Sequence, residues 1–162
     1  MEKTIKLEKD NILRLEIEAS DGKPTGEHLE FDMEDIELFD RYQKMIDEDK
    51  KNKQQLKNKL VIIEKQQDFT RKDKIMSNNS YQKYEALKQF FNREVEIYNM
   101  FLGKNGVQKL LNGRAVTWTS LSMIDKIIEE QIIPYIDVDM QTIADKVKEK
   151  YSKKDNTELL DE

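Results

Sequence analysis

Bond-making chemistry needs side chains that can converge, and this chain offers few candidates. Its one histidine, His28, lies between Glu27 and Leu29 at the entrance to an alternating run, where a lone imidazole is usually solvated rather than a general acid or base. Two groups of acids, Asp32, Asp35 and Glu37 and then Asp137 and Asp139, carry the oxygen ligands that a magnesium ion takes. Each group opens a helical pattern, however, where carboxylates cap free amides and complement the helix dipole, and that is the reading preferred here. With no cysteine there is no thiolate nucleophile, disulfide or cysteine-based metal site, and a single histidine excludes a histidine-based triad or zinc site. The phosphate loop, the dinucleotide glycine fingerprint and the Gly-x-Ser-x-Gly elbow are all missing, and Gly103 and Gly106 read as helix stops. The expectation is a chain that is not an enzyme and uses no metal or cofactor.

Without catalytic residues, charge becomes the informative feature. From Glu27 to Asp49 ten acids face only Arg41 and Lys44, a net of −8; from Lys50 to Lys74 nine bases face three acids, a net of +6. Acids first and bases last stabilise a helix over this span. The basic arm, Lys50, Lys51, Lys53, Lys57 and Lys59, is also a candidate surface for an acidic partner. Nucleic acid is disfavoured by the overall charge of −5 and by the lack of aromatic residues among these lysines.

The elements that must position these residues follow from periodicity. At 162 residues, 37% hydrophobic and 38% charged, the chain suits one domain of long helices, each with a single buried stripe. Alternation predicts strands over Thr4–Glu8 and Ile12–Ser20 and a third through Leu29, Phe31 and Met33, with a turn at Asp10-Asn11 and a loop at Asp21–Gly26. This makes a three-stranded antiparallel sheet over 1–33. Asp32 then caps a long helix over 34–68, whose stripe of Ile36, Phe39, Tyr42 and Met45 or Ile46 vanishes between Asp47 and Gln55 and resumes at Leu56, Leu60 and Ile63. The reading is one continuous helix whose middle projects into solvent; a break near Asp49 is the alternative.

Residues 69–80 have no period and read as a mobile loop, with Ser80 capping the next helix. A helical bundle over 81–152 follows. It begins with an aromatic helix from about Tyr81 to Leu102, stopped by Gly103, and a short helical piece up to the second glycine stop before Trp118. Leu121, Ile124, Ile128 and Ile132 mark a helix over Thr117–Ile133 closed by Pro134, and Met140, Ile143 or Ala144, Val147 and Tyr151 mark the last one. Lys153 to Glu162 should fray. The fold class expected is α+β, predominantly helical: a three-stranded antiparallel sheet followed by four to five helices, as a single domain over 1–152. The N-terminus lacks the apolar run of a signal peptide and no stretch reaches the roughly 20 apolar residues of a membrane span, so a cytoplasmic location is expected.

Phe101-Leu102-Gly103, Gly106, Gln108-Lys109-Leu110-Leu111 and Asn112-Gly113-Arg114 resemble a run found in small tail assembly chaperones of phages and prophages of Gram-positive bacteria. Phe31-Asp32-Met33-Glu34-Asp35-Ile36-Glu37, Arg41-Tyr42, Leu60-Val61-Ile62-Ile63 and Ile133-Pro134-Tyr135 extend the resemblance over most of Phe31 to Tyr135. It implies a non-enzymatic cytoplasmic protein that binds the tape measure protein and tail tube subunits during tail morphogenesis, with self-association as an option and no membrane role. Apolar contacts to such a client would come from Phe90, Phe101, Leu102, Leu110, Leu111 and Trp118. The alternative is a phage-encoded inhibitor or adaptor that presses its charged long helix onto a host protein or into a nucleic-acid-binding groove.

Overall fold

A computed structural model describes residues 2–5, 11–72 and 75–160 of the chain. They form two compact units, one made of residues up to Phe39 together with those from Leu121 onward, the other of Asp40–Ser120. Helix predominates, with an antiparallel sheet at the N-terminal end.

In the first unit, β1 (Ile12–Glu18) pairs with β2 (Pro24–Asp32) from Ile12↔Asp32 to Glu16↔His28. Ala19 N–H donates to the Lys23 carbonyl and Gly22, at φ +81°, lets the connection turn tightly. The second half of the expected Asp21–Gly26 loop, from Pro24, is thus strand. Proline is tolerated at the first strand position, and the two extra residues of β2 are absorbed as a bulge, where Thr25 Oγ1 donates to the Ile17 carbonyl at 3.0 Å. Leu29, Phe31 and Met33 are buried, as their alternation predicted. The described residues hold two strands rather than three: Thr4 and Ile5 are not in a strand, and the rest of the proposed Thr4–Glu8 strand, with Asp10 of the turn, lies outside the described residues.

The cap of α1 (Glu37–Lys65) differs from expectation. Asp32 closes a turn by accepting from Glu34 N–H, while Asp35 receives Glu37 N–H on its side chain and Leu38 N–H on its carbonyl, so Asp35 is the capping acid. The helix is unbroken at Asp49.

The largest revision concerns Pro134. Helix α4 (Trp118–Ile127) passes through a π-helical turn, Ile128–Ile132, directly into α5 (Ile133–Leu160), so the proline does not close the helix. A proline ring inside an α-helix clashes with the carbonyl four residues back and removes a donor. The wider turn immediately before it, in which Ile133 N–H donates to the Ile128 carbonyl, relieves both problems. Leu121, Ile124, Ile128, Ile132 and Ile136 still form one buried line, its spacing lengthened by the bulge. Ile136, Met140 and Ile143 of α5 border a cavity of ≈200 Å³ with Met33, Ile36 and Leu38. The tail expected to fray from Lys153 is helical as far as Leu160.

In the second unit, α1 runs antiparallel to α2 (Asn78–Leu102), as the pairs Glu48–Arg93, Asn52–Phe90 and Glu64–Lys83 show. The α1 stripe does not vanish in its middle. Met45, Asp49, Asn52, Leu56, Leu60 and Ile63 keep the three- and four-residue spacing of a helix–helix seam, with Met45, Asn52 and Ile63 buried. Asn52 Nδ2 donates to the Phe90 carbonyl at 3.1 Å, so the stretch expected to project into solvent is packed through a polar seam residue.

The 69–80 connection is also held, by named bonds. Asp68 Oδ1 accepts from the backbone N–H groups of Phe69 and Asn79, Asn79 Nδ2 donates to the Gln66 carbonyl, and Thr70 bridges Ser77. Ser77, not Ser80, caps α2, accepting from Ser80 N–H. Gly103 stops α2 as predicted. Gly106 instead starts α3 (Gly106–Leu111), where a Cβ would collide with Leu102 Cβ. Asn99 of α2 supplies the cap that α3 lacks: its Oδ1 accepts from Val107 N–H at 2.9 Å.

Candidate protein-binding surface

Phe90, Phe101, Leu102 and Leu111 are buried, at 2–3% exposure, and offer no surface. Tyr42 packs on Phe101 with ring centres 5.4 Å apart, which explains why an aromatic stripe at helical spacing turns inward. Leu110 is half-buried and Trp118 is exposed. Trp118 stacks on Phe90 at 6.2 Å, and Lys53 Nζ stands 5.7 Å from its ring centre, so three of the sequence candidates converge at one point.

The lysine arm is divided in its roles. Lys51 pairs with Glu48 and Lys53 with Asp49, both on the same helix, and Lys59 Nζ donates to Gln89 Oε1 across the hairpin at 3.1 Å. Lys50 and Lys57 are exposed, and among the described residues neither forms an ion pair. Glu48 is held below its ordinary carboxylate value chiefly by the Lys51 ammonium and also by Arg93, which bonds Glu48 and Glu96 together. Arg93 is raised in turn, mainly by its hydrogen bond to Glu96.

Of the acids weighed for magnesium, two just before α1 are engaged locally, and the side chain of Asp139 lies outside the described ones. Asp32 and Asp35 accept backbone amides, and His28 Nε2 lies 3.1 Å from Glu30 Oε1 at the sheet surface. Among the described residues no three His, Cys, Asp or Glu side chains gather where they could hold a metal ion. Among the described residues no helix is long and apolar enough to cross a membrane.

Sequence reasoning missed the far end of the α1–α2 hairpin. Of the thirteen large apolar side chains exposed among the described residues, seven fall between positions 61 and 87: Val61, Ile62, Phe69, Ile75, Met76, Tyr84 and Leu87. Exposed apolar side chains gathered in this way mark interaction sites more often than singly scattered ones. Basic groups stand beside them: Arg71 stacks over Tyr81 at 4.3 Å, and Lys65 and Lys72 are exposed. Ile75 is fully solvent-exposed. The signal was present in the sequence, because Phe69, Ile75 and Met76 are greasy residues in a segment with no period to bury them.

No protein-family model, curated protein or solved structure matches this chain.

Proposed function

We propose that this chain is a non-enzymatic chaperone of phage tail assembly that acts in the host cytoplasm and holds a helical client, the tape measure protein or tail tube subunits, on the apolar far end of its α1–α2 hairpin. The resemblance carried by Phe31–Glu37, Phe101–Gly103 and Gln108–Arg114 supports the family. The observation that supports the mode of action is the concentration of Phe69, Ile75, Met76 and their neighbours at the end of a helical hairpin. An amphipathic client helix buries its apolar face against such side chains, and because no covalent step is involved it can be displaced by the finished assembly.

Co-expression with a tape measure protein tests this reading. It predicts that the client becomes soluble and co-purifies with the chain. The second reading, an adaptor that presses a charged helix onto a host protein, is favoured by the exposure of Lys50 and Lys57. Charge neutralisation of Lys50, Lys51, Lys53, Lys57 and Lys59 would abolish an adaptor's binding and leave chaperoning nearly intact.

A further inference from the structure

We infer that Trp118 and the face of α1 carrying Lys50, Lys53 and Lys57 form a docking site for an acidic segment of another protein, one with an aromatic side chain among its carboxylates. Trp118 is the only tryptophan of the chain and is 58% exposed. It is nonetheless fixed from beneath: its ring stacks on Phe90 at 6.2 Å, and Phe90, which is buried, meets Phe91 edge-on at 5.2 Å. A large apolar side chain already held in place loses little freedom when it is covered, and tryptophan is enriched among the few residues that dominate an interface.

The surroundings of the ring select the charge of the partner. Lys53 Nζ stands 5.7 Å from the ring centre, and Lys50 and Lys57 lie on the same face of α1, each within about 6 Å of Lys53 along the helix axis. Lys53 is neutralised by Asp49 at 2.8 Å, so it is not the group that attracts. Lys50 and Lys57 are exposed, and among the described residues neither forms an ion pair. Between Asp49 and Glu64, α1 carries five lysines and no acid, and Glu64 is itself bonded to Lys83. The row therefore keeps positive charge that neither bordering acid offsets. Carboxylates spaced along a partner segment complement Lys50 and Lys57, while an aromatic side chain between them covers the indole. Single-stranded nucleic acid would meet the same lysines, but stacked bases need successive aromatic platforms, and the next ring in this stack, Phe90, is buried. The inference goes beyond the chaperone reading, which places the client at the far end of the hairpin, and it supplies the partner chemistry that the adaptor reading leaves open.

Trp118 is its own reporter. When the full chain is titrated with a synthetic peptide in which one phenylalanine stands among glutamates, the Trp118 emission should shift to the blue and saturate as the indole loses contact with water. The same peptide with lysines in place of the glutamates should leave the emission unchanged. Lys50→Glu/Lys57→Glu should weaken binding by about tenfold, as placing like charges together at an interface does; both side chains are exposed, so its thermal melt should stay within a few degrees of the parent. Trp118→Ala, read by the anisotropy of a labelled peptide, should weaken binding by about tenfold. Phe69→Ser/Ile75→Ser/Met76→Ser should bind the peptide as the parent does, which separates this site from the client end. Loss of peptide binding in that variant would overturn the inference and leave the chaperone reading standing. An emission that the acidic peptide does not shift, equal binding of the lysine peptide, undiminished binding by Lys50→Glu/Lys57→Glu, or a preference for oligothymidylate over the peptide would also overturn it.

Discussion

Asn52 Nδ2 donates to the Phe90 carbonyl at 3.1 Å, joining the middle of α1 to the middle of α2 across 38 residues of sequence. The amide is buried and sits where a coiled seam would ordinarily carry an aliphatic side chain. A polar residue at such a position fixes register and lowers stability relative to leucine. Asn52→Ala should therefore destabilise the chain by about 1–2 kcal/mol, from the lost bond and the stranded carbonyl. Asn52→Leu should recover much of that in denaturant unfolding while broadening the NMR signals of residues 48–56, as alternative registers become accessible.

Gly106 lies where a Cβ would meet Leu102 Cβ, and its backbone does not need the left-handed region. Gly106→Ala should cost about 1–3 kcal/mol by overpacking, despite alanine's better helix propensity. Removing the opposing Cβ in Gly106→Ala/Leu102→Gly tests this mechanism: the two substitutions should prove less than additive in urea unfolding.

The π turn before Pro134 predicts that residues on both sides of the proline are helical. Carbon chemical shifts should read as helix from Trp118 past Pro134, with Ile133 N–H protected through its bond to Ile128. A break in helical shifts at Ile133 would restore the simpler reading in which the proline ends the helix.

Asp68 is held below its ordinary value of 3.8, mainly by the Asn79 backbone N–H and then by Ser77. A carboxylate with a depressed folded value contributes stability that is present above its unfolded value and is lost as pH falls through the folded one. The protection of the Asn79 and Phe69 amides, taken relative to their intrinsic exchange rates, should therefore fall as pH drops below 3.8. Asp68→Asn should flatten that dependence.

What the sequence made legible was mostly local. Leu29, Phe31 and Met33 alternate and are buried, and Gly103 ends α2, because strand alternation and helix stops depend on neighbouring residues. Asn52 reads as solvated from the sequence, since its partner is 38 positions away and nothing local distinguishes a polar seam residue from a surface one. Pro134 reads as a terminator because the compensating π turn is a backbone adjustment with no residue signature. Among the site candidates, Trp118 and the five lysines are exposed, whereas Phe90, Phe101, Leu102 and Leu111 are core. The far end of the hairpin went unnoticed because periodicity cannot flag an apolar residue in a loop.

The most direct measurement is pull-down of a tape measure protein by the full chain carrying Phe69→Ser, Ile75→Ser and Met76→Ser. All three side chains are exposed, so the thermal melt should stay within a few degrees of the parent chain. The account predicts that client solubility and co-purification fall by at least about tenfold, in keeping with the loss of several exposed apolar contacts at a binding surface. Undiminished capture by the triple variant, or no capture by the parent chain, would contradict it.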